Sequence, residues 1–149
     1  MRRIDALLQE YGESHQNPTN KRVHWVCVPV IFVCVMALLY AAPPVAGVNL
    51  LWIVAVAALA YYAVLSPALA IGFIVVLALG YLIIQAAAVV IPLPIWATAL
   101  IFFVLAWVGQ FWGHKIEGKK PSFFKDVQFL LIGPAWLLSF LYKRAGITY

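Results

Sequence analysis

The chain is 149 residues long, 66% hydrophobic and only 10% charged, with a formal net charge of +5. Soluble domains run nearer half apolar and a quarter charged, so this composition excludes an ordinary water-soluble globule and makes lipid the solvent for most of the surface. All ten basic and all five acidic residues lie before Val23 or after Gly113, a layout that suits an anionic membrane surface rather than nucleic acid.

The length is that of one domain, taken as residues 1–149. The basic start, Met1-Arg2-Arg3, meets no apolar stretch until Val23, which is too late for a secretory signal peptide. Ile4, Leu7, Leu8 and Tyr11 repeat at helical spacing, with Arg2, Arg3, Asp5, Gln9 and Glu10 on the other side. This predicts a short amphipathic helix lying on the membrane surface and ending at Gly12. A polar loop, Glu13 to Asn20, follows.

Four apolar segments come next, about His24–Ala42, Val48–Leu65, Ala68–Val90 and Ile95–His114, divided at Pro43-Pro44, Ser66-Pro67 and Pro92-Leu93-Pro94. Each has about the twenty residues that cross a hydrocarbon core of about 30 Å. Ser66 is a plausible N-cap with Pro67 at the first helical position. Pro29 is expected to kink the first segment just after His24, and Gly72 and Gly80 mark close helix contacts. Cys27 and Cys34, seven residues apart on one helix, stand about 10 Å apart, beyond disulfide reach. A fifth stretch, Val127–Tyr142, has Gly133-Pro134 near its middle and reads as a re-entrant hairpin, with a fifth span as the alternative.

The predicted fold class is therefore an all-α integral membrane protein. It has four transmembrane helices, an N-terminal amphipathic helix and a C-terminal re-entrant or fifth apolar segment. Lys and Arg occur in the N-terminal segment, in Lys115–Lys125 and at Lys143-Arg144, and are missing from the loops 43–49 and 91–94. Four spans put all three basic regions in the cytoplasm, at a bacterial inner membrane or at the endoplasmic reticulum of a eukaryote. Trp52 and Trp96 then fall at the outer interface, Trp25 and Trp112 at the inner one. Lys115, Lys119 and Lys120 read as topology determinants and lipid contacts.

With this topology all three histidines, His15, His24 and His114, share the cytoplasmic interface. Glu13, Asn17, Asn20, Gln110 and Glu117 lie around them. Gln110, His114 and Glu117 follow an i, i+4, i+7 spacing, which stacks amide, imidazole and carboxylate on one helical face. Three imidazoles with oriented partners suit a metal: iron, with up to three open positions for a chelating substrate and dioxygen, or zinc with a water. Spans exclude polar side chains, so polar residues gather at interfaces in any case, and spacing alone does not separate a site from an interface. A non-enzymatic small transporter or lipid-binding scaffold is the competing class. It predicts polar residues lining a route, and Gln85 is the one strongly polar side chain deep in the apolar region.

Two blocks carry a resemblance. The run Tyr11-Gly12-Glu13-Ser14-His15-Gln16-Asn17-Pro18-Thr19-Asn20-Lys21-Arg22-Val23-His24, with Pro29 after it, resembles the opening of the Mpo-type 2-hydroxy fatty acid dioxygenases, a family long classed as a domain of unknown function. So does Gln110-Phe111-Trp112-Gly113-His114-Lys115-Ile116-Glu117-Gly118-Lys119-Lys120-Pro121, followed by Gly133-Pro134. The resemblance covers nearly the whole chain. It implies an iron(II) enzyme of fatty acid α-oxidation that cleaves a 2-hydroxy fatty acid between C1 and C2 with dioxygen, giving a fatty acid one carbon shorter and carbon dioxide. It implies His15, His24 and His114 as the iron ligands. Asn17, Asn20, Gln110 and Glu117 are expected to orient them, and it is open whether Glu117 itself ligates. Lys21 or Arg22 is a candidate to attract the substrate carboxylate, and the acyl tail is expected among the spans.

Overall fold

The computed structural model describes residues 1–118 and 129–149. Lys119, Lys120 and the start of the fifth apolar stretch at Val127 lie outside the described residues. Six helices are described: α1 (Arg3–Glu13), α2 (Pro18–Ala41), α3 (Leu50–Leu65), α4 (Pro67–Val90), α5 (Ile95–Glu117) and α6 (Ile132–Arg144). The fold is all-α, as expected. Among the described residues α2, α4 and α5 are long and apolar enough to cross a membrane, and α3 is a shorter apolar helix. At 1.5 Å per residue its 16 residues reach about 24 Å, because Asn49 caps it at Leu50 and residues 45–48 are spent on a tight turn in which Val45 and Val48 exchange backbone hydrogen bonds.

The first long helix starts earlier than its apolar sequence suggests. Asn17 accepts from the Thr19 and Asn20 N–H groups and Pro18 takes the first turn, so residues 18–20, expected in a loop, are helical. The reversal between α3 and α4 is built as predicted: the Ser66 hydroxyl accepts from Leu69 N at 3.2 Å, with Pro67 behind it. Cys27 and Cys34 are both free.

Helix α2 is the centre of the bundle and packs most extensively on α5. Glycines permit this. A Cβ on Gly109 would sit 2.7 Å from Cys27 Sγ, and one on Gly113 would collide with Asn20 Oδ1. Asn20 faces Gly113 and Cys27 faces Gly109, so the two helices run antiparallel with backbones in close approach. Gly80 admits Met36 of α2, and Gly72 admits Tyr142 of α6, the close contacts expected at these two glycines.

Two expectations are corrected. The apolar face of α1 does not lie on lipid: Ile4, Leu8 and Tyr11 are buried, and α1 packs on α6. The helix also runs past Gly12 to Glu13, and Gly12 faces the Trp136 indole. The reversal expected at Gly133-Pro134 is not formed either. Pro134 lies in the first turn of α6, where its missing N–H leaves no hydrogen bond unmade. With 13 residues α6 extends about 20 Å, too short for a span. Every residue from Ile132 to Ser139 is buried, so the start of α6 is enclosed on all sides.

Near the chain ends, Arg2 donates to both Asp5 carboxylate oxygens, at 2.9 and 3.0 Å, and to the Tyr149 carbonyl. The Arg2 hydrogen bonds hold the Asp5 carboxyl below the usual carboxylate range.

Candidate metal centre

Helix capping and close packing bring one histidine from each of three places to one point. His15 lies in the short link between α1 and α2, His24 two turns into α2, and His114 in the last turn of α5. Ring centroids are 3.8 Å apart for His15 and His24, 5.7 Å for His15 and His114, and 5.8 Å for His24 and His114. All three are buried, with 3%, 2% and 5% of their surface exposed. These values separate the cluster from solvated interfacial histidines, which keep their rings in water. One ligand atom from each ring lies within 4.8 Å of the other two. Three nitrogens on adjacent positions of one ion, at bonds of about 2.1 Å, stand about 3–3.5 Å apart. The widest pair therefore closes by at most about 1.8 Å, within the reach of side-chain rotation.

The hydrogen bonds fit neutral ligands. His15 Nδ1 lies 2.7 Å from the Tyr11 carbonyl. A carbonyl only accepts, so Nδ1 carries the proton and Nε2 the lone pair. The Gln110 amide nitrogen lies 3.3 Å from His24 Nε2; an amide nitrogen donates, so in this orientation Nε2 accepts and Nδ1 carries the ring proton. His24 Nδ1, on the other side of that ring, is buried with no partner among the described residues. An unmet polar atom in a buried site is costly; turning the amide over brings Gln110 Oε1, which also has no partner among the described residues, to Nε2, moves the ring proton there and frees the Nδ1 lone pair for a cation shared with His15 and His114.

Glu117 lies outside the close group formed by the three histidines. Its carboxylate accepts from Gln16 N at 3.0 Å, from Asn17 N at 2.9 and 3.1 Å, and from the Asn20 amide at 3.0 Å. It therefore ties the end of α5 to the link that carries His15 and to the N-terminus of α2, where a negative charge is favoured. Gly118, with φ of 74°, turns the chain away just after it. Asn17 caps α2, and Asn20, fully buried, bridges Glu117 to the Ser14 carbonyl. The Gln110, His114 and Glu117 column faces the first turns of α2. Lys21 and Arg22 stand on the rim, half-buried and exposed.

Sequence reasoning missed the aromatic wall. Tyr11, read as part of an apolar face and as the first residue of the resembling block but given no role at the site, stacks on His15 with centroids 4.6 Å apart and planes at 17°. Trp136 of α6 approaches the same imidazole at 5.4 Å. The Gly109-x-x-x-Gly113 spacing, which signals close helix approach, was the readable clue to the α2–α5 contact that sets His24 beside His114.

Residues 1–145 match the model of a family described as Mpo1-like, 2-hydroxy-palmitic acid dioxygenase. No curated protein and no solved structure matches the chain.

Proposed function

The chain belongs to the Mpo1-like family, and from that premise we propose that it is an iron(II)-dependent dioxygenase acting on 2-hydroxy fatty acids in the membrane. The observation that carries this reading is the group of three buried histidines with ligand atoms within 4.8 Å of one another. In this reading His15, His24 and His114 hold the metal. Iron is favoured over zinc because zinc has no redox chemistry and the reaction consumes dioxygen. Bound there, iron would supply open positions for the 2-hydroxy carboxylate and dioxygen together, so that electrons can pass between them.

The overall change balances without an external reductant. The bond between C1 and C2 breaks, C1 leaves as carbon dioxide, and C2 becomes the carboxyl carbon of the shortened acid. The substrate gives up four electrons, and dioxygen takes them, one water being released. The protein's own groups do the positioning. The Tyr11 carbonyl keeps the His15 proton on Nδ1 and turns Nε2 inward. Gln110 fixes the plane of His24. Glu117 and Asn20 hold the His15 link in place. Tyr11 and Trp136 cover the His15 ring and keep water from it. Lys21 and Arg22 draw the carboxylate toward the cluster from the cytoplasmic face, the side assigned by the excess of Lys and Arg. With α3 spanning where the bilayer thins locally, four helices cross the membrane and the domain comprises the whole chain.

The test is direct. Protein purified without oxygen is expected to contain one iron per chain, and to convert 2-hydroxypalmitate to pentadecanoate and carbon dioxide with equimolar oxygen uptake. His24→Ala and His114→Ala should lose both iron and turnover. Full activity in either variant would sink the proposal.

A further inference from the structure

Two apolar grooves run along the bundle, one from the histidine end to its middle and one from its middle to the opposite end. One, of about 270 Å³, lies between α2, α4 and α6 and begins at Trp25 and Pro134. These two residues follow His24 and Gly133 in the chain, and Gly133 faces the Tyr11 phenol. The other, of about 390 Å³, lies between α2, α4 and α5 and ends at Ala37 and Ile95. The two share Pro29, Val33 and Ile83 in their walls, so they adjoin at mid-bundle. Twelve residues of α2 separate Trp25 from Ala37, about 18 Å of helix. A hydrocarbon core of about 30 Å holds two leaflets of acyl chains, so a long-chain acyl tail spans roughly half of it, close to the length of this path.

We propose that the joined grooves form the acyl-binding site, which takes the tail of a long-chain 2-hydroxy fatty acid with its carboxylate end at the three histidines and its methyl end near Ala37 and Ile95. This rests on the 2-hydroxy fatty acid reading of the site. The lining is almost wholly apolar, so it selects by length and shape rather than by hydrogen bonds. Ile83 is 55% exposed, so the path is open along its side and a tail enters laterally from the bilayer. The junction at Val33 and Ile83 is the point that separates short tails from long ones: a short chain stops before it, and a long one must pass.

The experiment uses the full chain, iron-loaded, in lipid nanodiscs. Ile83→Trp and Val33→Phe are expected to lower turnover of 2-hydroxypalmitate about tenfold, the scale of a lost or blocked apolar contact, and to leave 2-hydroxyoctanoate within about twofold of wild type. Val75→Trp, on an exposed part of α4 outside both grooves, should change neither. Iron content should be equal in all. An equal loss on both acids, or no change on either, would overturn the assignment. A 2-hydroxy fatty acid with a terminal diazirine gives a reading independent of turnover. Labelling at Ala37, Ile95 or Phe102, competed by 2-hydroxypalmitate, supports the site, and labelling spread over α3 and the outward face of α4 refutes it. Wild-type protein that labels in the groove but turns over no 2-hydroxy acid would refute the enzyme reading and retain the groove.

Discussion

Glu117→Gln isolates the contact that joins the two polar blocks. The carboxylate accepts from four donor contacts on three residues, at 2.9 to 3.1 Å. The amide keeps one oxygen and turns an NH₂ toward donors at the other position, so about half of the contacts are lost and one becomes repulsive. A hydrogen bond to a charged group contributes about 1.5–3 kcal/mol, and a buried donor left unmet costs about 1–3 kcal/mol. Water can replace the partner of the exposed Gln16 N–H, but not that of Asn20, which is fully buried. The expected loss is about 2–4 kcal/mol of unfolding free energy. The His15 link is no longer held, and metal affinity should fall about 10–100-fold, the usual cost of losing an outer support of a metal ligand. Cobalt(II) titration followed by its visible absorption, together with thermal unfolding followed by tryptophan fluorescence, measures both quantities. Glu10→Gln, at an exposed carboxylate on α1, serves as the control. Glu117→Gln protein that matches wild type in both assays would refute the role given to this carboxylate.

Gly113→Ala places a Cβ against Asn20 Oδ1 and 3.3 Å from Val23 Cγ1. It should cost about 1–3 kcal/mol by overpacking and weaken metal binding by moving α2 away from α5; wild-type unfolding would count against the close approach. Gln110→Leu keeps the volume and removes the partner of His24. Metal affinity should drop about 10–100-fold, and Gln110→Glu, which places a carboxylate oxygen where the amide nitrogen faces Nε2 and so fixes the ring proton there, should restore it. Equal affinities in the two variants would mean that Gln110 only fills space.

Much of this arrangement is legible in the chain. The charge-free stretch and its proline breaks locate the apolar helices, and Ser66-Pro67 announces its own cap. The histidines could be placed at one face because an antiparallel bundle returns to that face at the end of every second long helix. The extra turn at the start of α2 carried a signal, Asn17 before Pro18, that polarity obscured. The partner of α1 carried none: an amphipathic pattern says that one face is covered, not whether lipid or another helix covers it. The start of α6 was misread for the same reason in reverse. Gly133-Pro134 breaks a helix interior but is tolerated in a first turn, and tertiary burial decides which it is. Tyr11 and Trp136 became site residues only through the α1–α6 contact, which has no local code.

The contacts made by Glu117 also fix an order of events during synthesis. Its carboxylate reaches Gln16, Asn17 and Asn20 across 97 to 101 residues of sequence, and His114 is carried by the same helix. A chain made only as far as α4 has two of its three imidazoles and nothing to clip the link between α1 and α2. The third imidazole and the clip arrive together with α5, after the earlier apolar helices have been made. The wall behind His15 is completed later still, when α6 supplies Trp136. If the cluster holds iron as proposed, capture of the ion would be deferred to the nearly finished protein, and a truncated or misinserted chain would lack a high-affinity site for it.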